Sequence, residues 1–357
     1  SRGGALAHLA FATTKVDELI ERVREAGYEI AYVGSYEGIE KKLIADFNIP
    51  YTGISTGKFR RYLDPKNFSD PFRVMKGFVE ARNYLKNYQP DVVFSKGGFV
   101  SVPVVRAAAS LHIPCIIHES DMTPGLANKL CIPVAEKVCC NFPETMKNIP
   151  ADKAVLTGSP IRAELAQGSR LAGLNMCGFT ANKPVIMVIG GSLGAANVNK
   201  AVRDALPKLL EDFQVVHLCG KDKIDNLLLN TPGYKQFEYI KAELKDIFAM
   251  ADVVISRAGA NAICELLALK KPNILIPLPA ASSRGDQLLN AASFEAQGYS
   301  IVLNEDDITT NLLVDKVHEL YFNRQNYVEA MSRSHQMDAI NTIMLLINEA
   351  ANKSHTQ

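Results

Sequence analysis

Short apolar runs recur along the chain and have the length of buried parallel strands. The runs are EIAYVG (29–34), DVVFS (91–95), PCIIH (114–118), KVCC (137–140), AVLTG (154–158), PVIMVIG (184–190), QVVHLC (214–219), DVVIS (252–256), PNILIP (272–277) and YSIVL (299–303). Segments with helical periodicity lie between many of them, and the clearest span residues 16–26, 72–87, 198–211 and 260–269. Strands that alternate with helices predict an α/β fold with parallel sheets.

Two domains fit this pattern better than one. The apolar runs are too many for one small sheet, and they pause between residues 158 and 183, where glycines and charges dominate. A chain of 357 residues is also long for a single core. We predict two doubly wound domains with a cleft between them, joined through the 158–183 segment. The last helical stretch, residues 325–350, has no strand after it and could pack on either domain.

Composition narrows the classes of partner and cofactor. A net charge of +1 supplies no global field to attract nucleic acid, so no nucleic-acid partner is expected. The seven Cys residues lack the spacing of zinc sites, and the chain has no HExxH or DxD motif, so neither metal nor cofactor is predicted. Cysteine usage fits a reducing cytoplasm. With no secretory signal and no apolar run near the ~20 residues of a membrane span, we expect a protein that is soluble or lies on a membrane surface.

One local segment departs from this neutral balance. Residues 57–86 interleave basic and apolar side chains, with eight Lys or Arg against three acidic residues. An anionic lipid surface would attract such a segment by ~1 kcal/mol for each cation near it. An amphipathic core helix with a solvated basic face fits the same pattern. Single-stranded nucleic acid is a third interpretation, but no further basic stripe supports it.

Four strand ends continue into turns that contain glycine. They are FSKGGFVSVP (94–103), TGSPIR (157–162), IGGSLGAANVN (189–199) and SRAGANAICE (256–265). In an open α/β sheet, ligands bind at the carboxyl ends of strands, where backbone N–H groups and helix N-termini favour anions. One such loop is usually only a tight turn. Four loops spread over both domains predict one or two ligands that carry a diphosphate.

Three side chains in these loops have two interpretations each. Ser192 could cap the following helix or donate a hydrogen bond to a phosphate oxygen. Arg162 could pair with a phosphate or with a surface carboxylate. Glu265 could interact with the dipole of its own helix or accept hydrogen bonds from two ribose hydroxyls.

A polar cluster, HESDMTPGLANK (118–129), follows another buried run. His118 stands directly before Glu119, and such a pair could supply a general base, a diphosphate ligand or a structural hydrogen bond. The sequence leaves these three roles open. Polar groups gathered at a strand end nevertheless indicate a functional edge of the sheet.

Taken together, these segments closely resemble the MurG family, the N-acetylglucosaminyltransferases of peptidoglycan synthesis. The resemblance rests on FSKGGFVSVP, HESDMTPGLANK, GSPIR, GGSLGAANVN, SRAGANAICE and RGDQLLNA (284–291), in this order and at these intervals. It extends from about Gly27 to the C-terminus and includes SYEGIEKKLI (35–44). Any one motif is weak, but six in order are specific.

The resemblance implies a GT-B fold with two Rossmann-like domains, residues 1–160 and 161–335, and a final helix at about 336–350 that returns to the first domain. It implies inverting transfer of GlcNAc from UDP-GlcNAc to the C4 hydroxyl of the muramoyl residue of lipid I. The products are lipid II and UDP. The implied location is the cytoplasmic face of the bacterial plasma membrane, with the 57–86 segment on the lipid surface.

The resemblance also assigns roles to individual residues. The UDP-GlcNAc donor would be bound by Arg162, Gly191, Ser192, Asn199, Ile240, Ala260, Glu265 and Gln287. The acceptor would be faced by Gly97, Gly98, His118, Asp121 and Asn128. Backbone N–H groups, a helix dipole and Arg162 would stabilise the charge of the departing UDP. Inversion needs one displacement and one base, and the candidates for that base are His8 and then Glu119.

The N-terminus departs from the family pattern. The family begins with a strand and a loop of the type GGTxGH, whereas this chain begins SRGGALAHLAFATTK. The spacing of Gly3, Gly4 and His8 is kept, but Ala5 and Ala7 replace a hydroxyl residue and a glycine. Only two residues precede Gly3, so we expect the first strand to be missing. Asp121 stands where many relatives have Asn, which would change a sugar contact.

Other functions fit parts of the sequence. A transferase of the same fold could act on another lipid acceptor, and a two-domain sensor could bind UDP-GlcNAc without catalysis. A dehydrogenase with paired Rossmann domains is disfavoured, because the first strand is followed by neither GxGxxG nor an acidic residue about 20 positions later.

Overall fold

The computed structural model describes residues 5–8, 17–37, 40–45, 47–56, 70–161, 163–190, 196–280, 285–334 and 338–354. The chain divides into two compact units. Unit 1 comprises Ser1–Arg162 and Asp338–Gln357, and unit 2 comprises Ala163–Met337. Within the described ranges, no helix is both long enough and apolar enough to cross a membrane.

Unit 1 contains a parallel sheet of seven strands. The strands are β1 (Ala5–His8), β2 (Ile30–Ser35), β3 (Tyr51–Ile54), β4 (Val93–Ser95), β5 (Cys115–Glu119), β6 (Lys137–Cys140) and β7 (Ala154–Leu156). Their spatial order is β3-β2-β1-β4-β5-β6-β7. The helices between them are α1 (Asp17–Glu25), α2 (Glu40–Ala45), α3 (Asp70–Tyr88), α4 (Ser101–Ser110), α5 (Leu126–Cys131) and α6 (Pro143–Met146). Strands that are consecutive in the chain are joined by helical crossovers, as parallel pairing requires.

Unit 2 repeats this architecture with six parallel strands. The strands are β8 (Val185–Ile189), β9 (Gln214–Leu218), β10 (Tyr234–Phe237), β11 (Val253–Ser256), β12 (Asn273–Leu275) and β13 (Ser300–Val302). Their order is β10-β9-β8-β11-β12-β13. The helices are α7 (Arg170–Cys177), α8 (Ala196–Asp212), α9 (Leu244–Met250), α10 (Ala260–Ala268), α11 (Asp286–Ala296), α12 (Thr310–Phe322) and α13 (Arg324–Ser332). Apolar clusters between α8, α12 and the sheet form the core.

The last helix, α14 (Ala339–Ser354), packs on unit 1 although it follows unit 2 in the chain. Its Ile343, Met344 and Ile347 are buried in a cluster with residues of α1 and β2. The Tyr28 hydroxyl also donates to Asn348 Oδ1 at 2.8 Å. The stretch 325–350, which the pattern presents as one helical segment, therefore contains parts of two helices that belong to different units.

The expectation that the first strand is missing is wrong. Ala5–His8 forms β1, and it pairs with β2 on one side and β4 on the other. This central position requires backbone hydrogen bonds on both edges, because β2 and β4 would otherwise bury unpaired groups. The short ALAH segment supplies them, with Leu6 beside Ala31 and Val93.

Candidate active site

The glycine loop after β4 is held by a closed ring of hydrogen bonds. Ser95 Oγ donates to Ser101 Oγ at 2.6 Å, and Ser101 Oγ donates to the Gly97 carbonyl at 2.6 Å. The Gly97 N–H donates back to Ser95 Oγ at 3.2 Å. Gly97 and Gly98 have φ values of +92° and +86°, a region that favours glycine. The loop thus has a fixed shape where α4 begins.

Glu119 organises the second polar loop of unit 1. Its side chain is buried at the end of β5, with the residue 4% exposed. Oε1 accepts from the Asp121 N–H at 2.9 Å, and Oε2 accepts from the Gly125 N–H at 3.0 Å and Asn128 Nδ2 at 2.8 Å. Burial raises the pKa of the Glu119 carboxyl, while these three donors act in the opposite direction. Both oxygens are therefore engaged in holding residues 120–128.

The two loops of unit 1 lie against each other. A Cβ atom added at Gly97 would come within 3.3 Å of Asn128 Nδ2, so the amide side chain covers the glycine closely. Asn128 Nδ2 also donates to the His118 carbonyl at 3.2 Å. The structure thus brings Gly97, Asn128 and Glu119 together at the carboxyl edge of the sheet. Asp121 is exposed beside them.

His118 is fully buried and bonds to the protein itself. Nε2 lies 2.9 Å from the Gly158 carbonyl, and Nδ1 lies 3.3 Å from Ser120 Oγ. Burial, aided by the charge of Lys96, lowers the pKa of His118 to about 3. The neutral ring therefore donates from Nε2 and accepts at Nδ1. This geometry argues against the sequence-based contact between the His118 side chain and a diphosphate, because neither ring nitrogen faces outward.

His8 lies at the end of β1, and its backbone is in register with Ser95 at the start of the glycine loop. Its side chain lies outside the described residues. The position is nevertheless informative, because it places the first candidate base beside the glycine loop, against which Asn128 packs. Its role as a base stays a prediction.

Three of the predicted donor ligands lie outside the described residues: Arg162 of unit 1, and Gly191 and Ser192 in one loop of unit 2. Helix α8 begins at Ala196, directly after the loop of Gly191 and Ser192 that follows β8. Asn199, in the first turn of α8, is 2% exposed and donates from Nδ2 to the Cys219 carbonyl at 2.8 Å. Its Oδ1 lies 2.8 Å from His217 Nε2. The Asn199 amide is thus engaged within unit 2, which argues against its predicted contact with the donor.

The other predicted donor residues follow strands β10, β11 and β12 of the same sheet. Ile240 follows β10, and Ala260 is the first residue of α10 after β11. Glu265 lies farther along α10 and is 8% exposed. Gln287 is in the first turn of α11, where its Oε1 accepts from the Leu278 N–H at 3.0 Å. Because that oxygen accepts a backbone N–H, the Gln287 amide presents its NH₂ group for a further contact.

Two residues of this edge were missed by the sequence analysis. Arg257, directly after β11, is 8% exposed and donates to the carbonyls of Ile276 at 3.0 Å and Pro277 at 3.4 Å. Asn290 is 1% exposed and donates to the Ala258 carbonyl at 3.0 Å. The signal was present for Arg257, since a cation directly after a buried strand needs polar partners. Over the described part of the chain, no group of three or more His, Cys, Asp and Glu side chains could hold a metal ion.

Family models match both units. The glycosyltransferase family 28 N-terminal domain matches residues 18–140, and the corresponding C-terminal domain matches residues 185–344. Relatives from Lachnospira eligens and Lachnoclostridium phytofermentans are 60% and 61% identical over 347 residues, which is 97% of this chain and of each relative. Both are named UDP-N-acetylglucosamine–N-acetylmuramyl-(pentapeptide) pyrophosphoryl-undecaprenol N-acetylglucosamine transferase. The chain belongs to the MurG members of glycosyltransferase family 28.

A solved structure of the MurG family shares the fold. The crystal structure of Acinetobacter baumannii MurG matches with a TM-score of 0.77 and 26% identity, over 97% of this chain and 99% of that chain. The predicted GT-B class, with two doubly wound α/β domains and parallel sheets, is confirmed. The family membership also confirms that the chain is a glycosyltransferase.

Proposed function

We propose that this chain transfers GlcNAc from UDP-GlcNAc to the C4 hydroxyl of the muramoyl residue of lipid I, with inversion, giving lipid II and UDP. The observation that carries the proposal is the 60% identity, over 97% of the chain, to relatives that bear the name of this transferase. The reaction forms one bond from the acceptor oxygen to C1 of GlcNAc and breaks the bond from C1 to UDP. The acceptor proton passes to a base.

The donor is assigned to unit 2. The helix N-termini of α8 and α10 lie at the carboxyl edge of one sheet, where backbone N–H groups favour a diphosphate. Gly191 and Ser192 would complete that site, and Arg162 is a further proposed ligand of the diphosphate. The Ile240 backbone would contact uracil, and Glu265 would accept hydrogen bonds from the ribose hydroxyls. Ala260, the first residue of α10, would lie beside them. Gln287 would donate its NH₂ group to the sugar, since its Oε1 already accepts from Leu278.

The acceptor is assigned to the two loops of unit 1, and His8 is assigned as the base. Gly97 packs against Asn128 there, and Gly98 and Asp121 are exposed on the surface of these loops. Glu119 supports this surface through its three N–H donors. If the Glu119 carboxylate took up the acceptor proton, it would lose these hydrogen bonds and release the loop. Glu119 is therefore a weaker candidate for the base than His8. The buried His118 side chain would support the acceptor site indirectly, through its hydrogen bonds to Gly158 and Ser120.

The membrane contact is assigned to α3. Phe72, Met75 and Val79 recur at helical spacing and are 79%, 64% and 52% exposed. Exposed Arg73, Lys76 and Lys86 flank them. An apolar strip with cations beside it suits an anionic leaflet, which the proposed acceptor places at the cytoplasmic face of the plasma membrane. The adjoining residues 57–69 lie outside the described structure.

One assay series tests the proposed reaction. The full chain is incubated with radiolabelled UDP-GlcNAc and a lipid I analogue, with UDP-glucose as the control donor. We expect labelled lipid II and UDP in equal amounts, and little transfer from UDP-glucose. Tight UDP-GlcNAc binding without product would favour the sensor. Transfer to a different lipid acceptor in preference to lipid I would favour the other transferase.

A vesicle assay tests the membrane contact. Phe72→Glu should weaken binding to phosphatidylglycerol vesicles by at least tenfold, because burying a Phe side chain contributes about 1.5–3 kcal/mol. Phe322→Glu is the matched control, since Phe322 is 74% exposed on α12 of unit 2. The assignment to α3 is wrong if Phe72→Glu binds as well as the unmodified chain, or if Phe322→Glu weakens binding equally.

A further inference from the structure

A buried ion pair in unit 2 has no part in the function proposed above. Arg257 Nη2 pairs with Glu305 Oε2, and the two side chains are 9% and 8% exposed. Arg257 follows the last residue of β11, and Glu305 lies three residues beyond β13. Arg257 Nη1 also donates to the Ile276 carbonyl at 3.0 Å, just past β12. The pair thus ties together the carboxyl ends of three neighbouring strands.

The second oxygen of Glu305 extends this tie to a helix. Glu305 Oε1 accepts from Asn197 Nδ2 at 2.5 Å. Asn197 is the second residue of α8, and α8 begins directly after residues 191–195, the predicted diphosphate loop. A continuous chain of contacts therefore leads from the end of β11, where α10 also begins, to the first turn of α8.

The negative charges of Glu305 and of the proposed diphosphate explain why an arginine lies beside Glu305. A carboxylate close to the start of a helix that binds a diphosphate would repel the ligand if it stood alone. The Arg257 guanidinium neutralises Glu305, so Glu305 can hold the Asn197 amide at little electrostatic cost to an anion nearby. A buried pair of this kind is weak evidence for stability, since replacing it with apolar residues is often neutral.

We propose that Glu305, acting through Asn197 and supported by Arg257, is a positioning residue for the donor diphosphate. It fixes the first turn of α8 relative to the start of α10, so that the N-terminus of α8 is held where the phosphates bind. Preorganised binding groups need this support, because small displacements weaken them. The inference rests on the proposed assignment of the UDP-GlcNAc diphosphate to the α8 N-terminus.

Asn197→Ala is the first test, because Asn197 is exposed and its loss removes only the link to the helix. Binding of UDP and of uridine is measured by calorimetry and by competition. We expect the Kd for UDP to rise about five- to tenfold, uridine binding to stay unchanged and the melting temperature to stay within a degree or two. A solely structural role would weaken UDP and uridine together or leave both unchanged.

Asn311→Ala is the matched control. Asn311 Oδ1 accepts from Lys208 Nζ at 2.6 Å, so it ties the opposite end of α8 to α12 through another exposed amide. This variant should bind UDP as the unmodified chain does. An equal loss of UDP affinity in both variants would show that any loosening of α8 suffices, and it would overturn the role of Glu305.

Glu305→Ala gives a second, independent outcome, because it removes both the charge and the oxygen that accepts from Asn197, whereas a glutamine would keep an acceptor. If Glu305 only repelled the diphosphate, removing its charge would tighten UDP binding. If Glu305 positions α8, the variant binds UDP more weakly than the unmodified chain, and uridine binding does not change. Tighter or unchanged UDP binding overturns the inference. Failure of the unmodified chain to bind UDP at all would instead refute the proposed function.

Discussion

Among the histidines whose burial the structure describes, one in each unit is buried, and together the two predict how acid destabilises the protein. His118 in unit 1 is 0% exposed and bonds to Gly158 and Ser120. His217 in unit 2 is also 0% exposed, with Nε2 near Asn199 Oδ1 and Nδ1 near the Tyr234 hydroxyl, both at 2.8 Å. Burial lowers the pKa of each ring to about 3, and in His217 the charge of Arg203 contributes. Both rings are therefore neutral in the folded protein at neutral pH.

The direction of the pH effect follows from these values. In the unfolded chain a histidine has a pKa near 6.5, so below that pH the unfolded state binds a proton that the folded state does not. The stabilisation is fully present above about pH 6.5 and is lost progressively between pH 6.5 and about 3. One pKa unit corresponds to 1.36 kcal/mol, so at pH 5 each buried histidine should lower the free energy of unfolding of its unit by about 2 kcal/mol.

Two measurements check this prediction. Urea unfolding at pH 7.5 and pH 5.0 is followed by far-UV circular dichroism, because the chain has no Trp to report by fluorescence. The ring C–H resonances of His118 and His217, assigned with His118→Gln and His217→Gln, should not titrate between pH 8 and pH 5. If the His118 resonance titrates near pH 6.5, the buried neutral ring is wrong and a contact with the acceptor diphosphate becomes the better interpretation.

Three substitutions test separate parts of the site. Glu265→Ala should weaken UDP binding by roughly 1.5–3 kcal/mol if Glu265 holds the ribose, and an unchanged calorimetric Kd in a folded variant would remove that role. Asn199→Ala should lower the free energy of unfolding in urea by about 1–3 kcal/mol, because His217 loses a buried partner. Weaker UDP binding at unchanged stability would instead make Asn199 a donor ligand. Gly97→Ala should cost roughly 1–2 kcal/mol of backbone strain and displace Asn128. Initial rates should show a higher KM for lipid I with an unchanged Kd for UDP, and an unaltered KM would separate the loop from the acceptor.

The fold was predictable where strands are buried on both faces. Central strands such as β5 and β11 appear in the sequence as continuous apolar runs, because every side chain is covered. The missed strands lack that signal. β3 (YTGI) lies at one edge with three half-buried residues, and β10 (YKQF) is an edge strand that alternates buried and more exposed positions. β1 was missed because Ala and His contribute little strand propensity.

The site was predictable as a set of loops but not as a set of side-chain directions. The glycine spacing located both polar loops of unit 1, and the structure places Gly97, Glu119 and Asn128 together there. In β5 all five residues are buried, so no alternation shows where His118 points. Asn199 could have been recognised as a core residue, since it lies on the buried face of α8 with Val198 and Val202. A polar residue on an apolar helix face usually bonds within the core.

The return of α14 to unit 1 has a consequence for how the protein is made. Synthesis on the ribosome runs from the N-terminus, so all of unit 2 leaves the exit tunnel before Ile343, Met344 and Ile347 can cover the α1 side of the first sheet. Unit 1 thus begins first and is completed last, while unit 2 can fold as one uninterrupted piece. Released chains that are truncated before Ala339 should therefore have a protease-resistant unit 2 and an apolar, chaperone-accessible surface on α1.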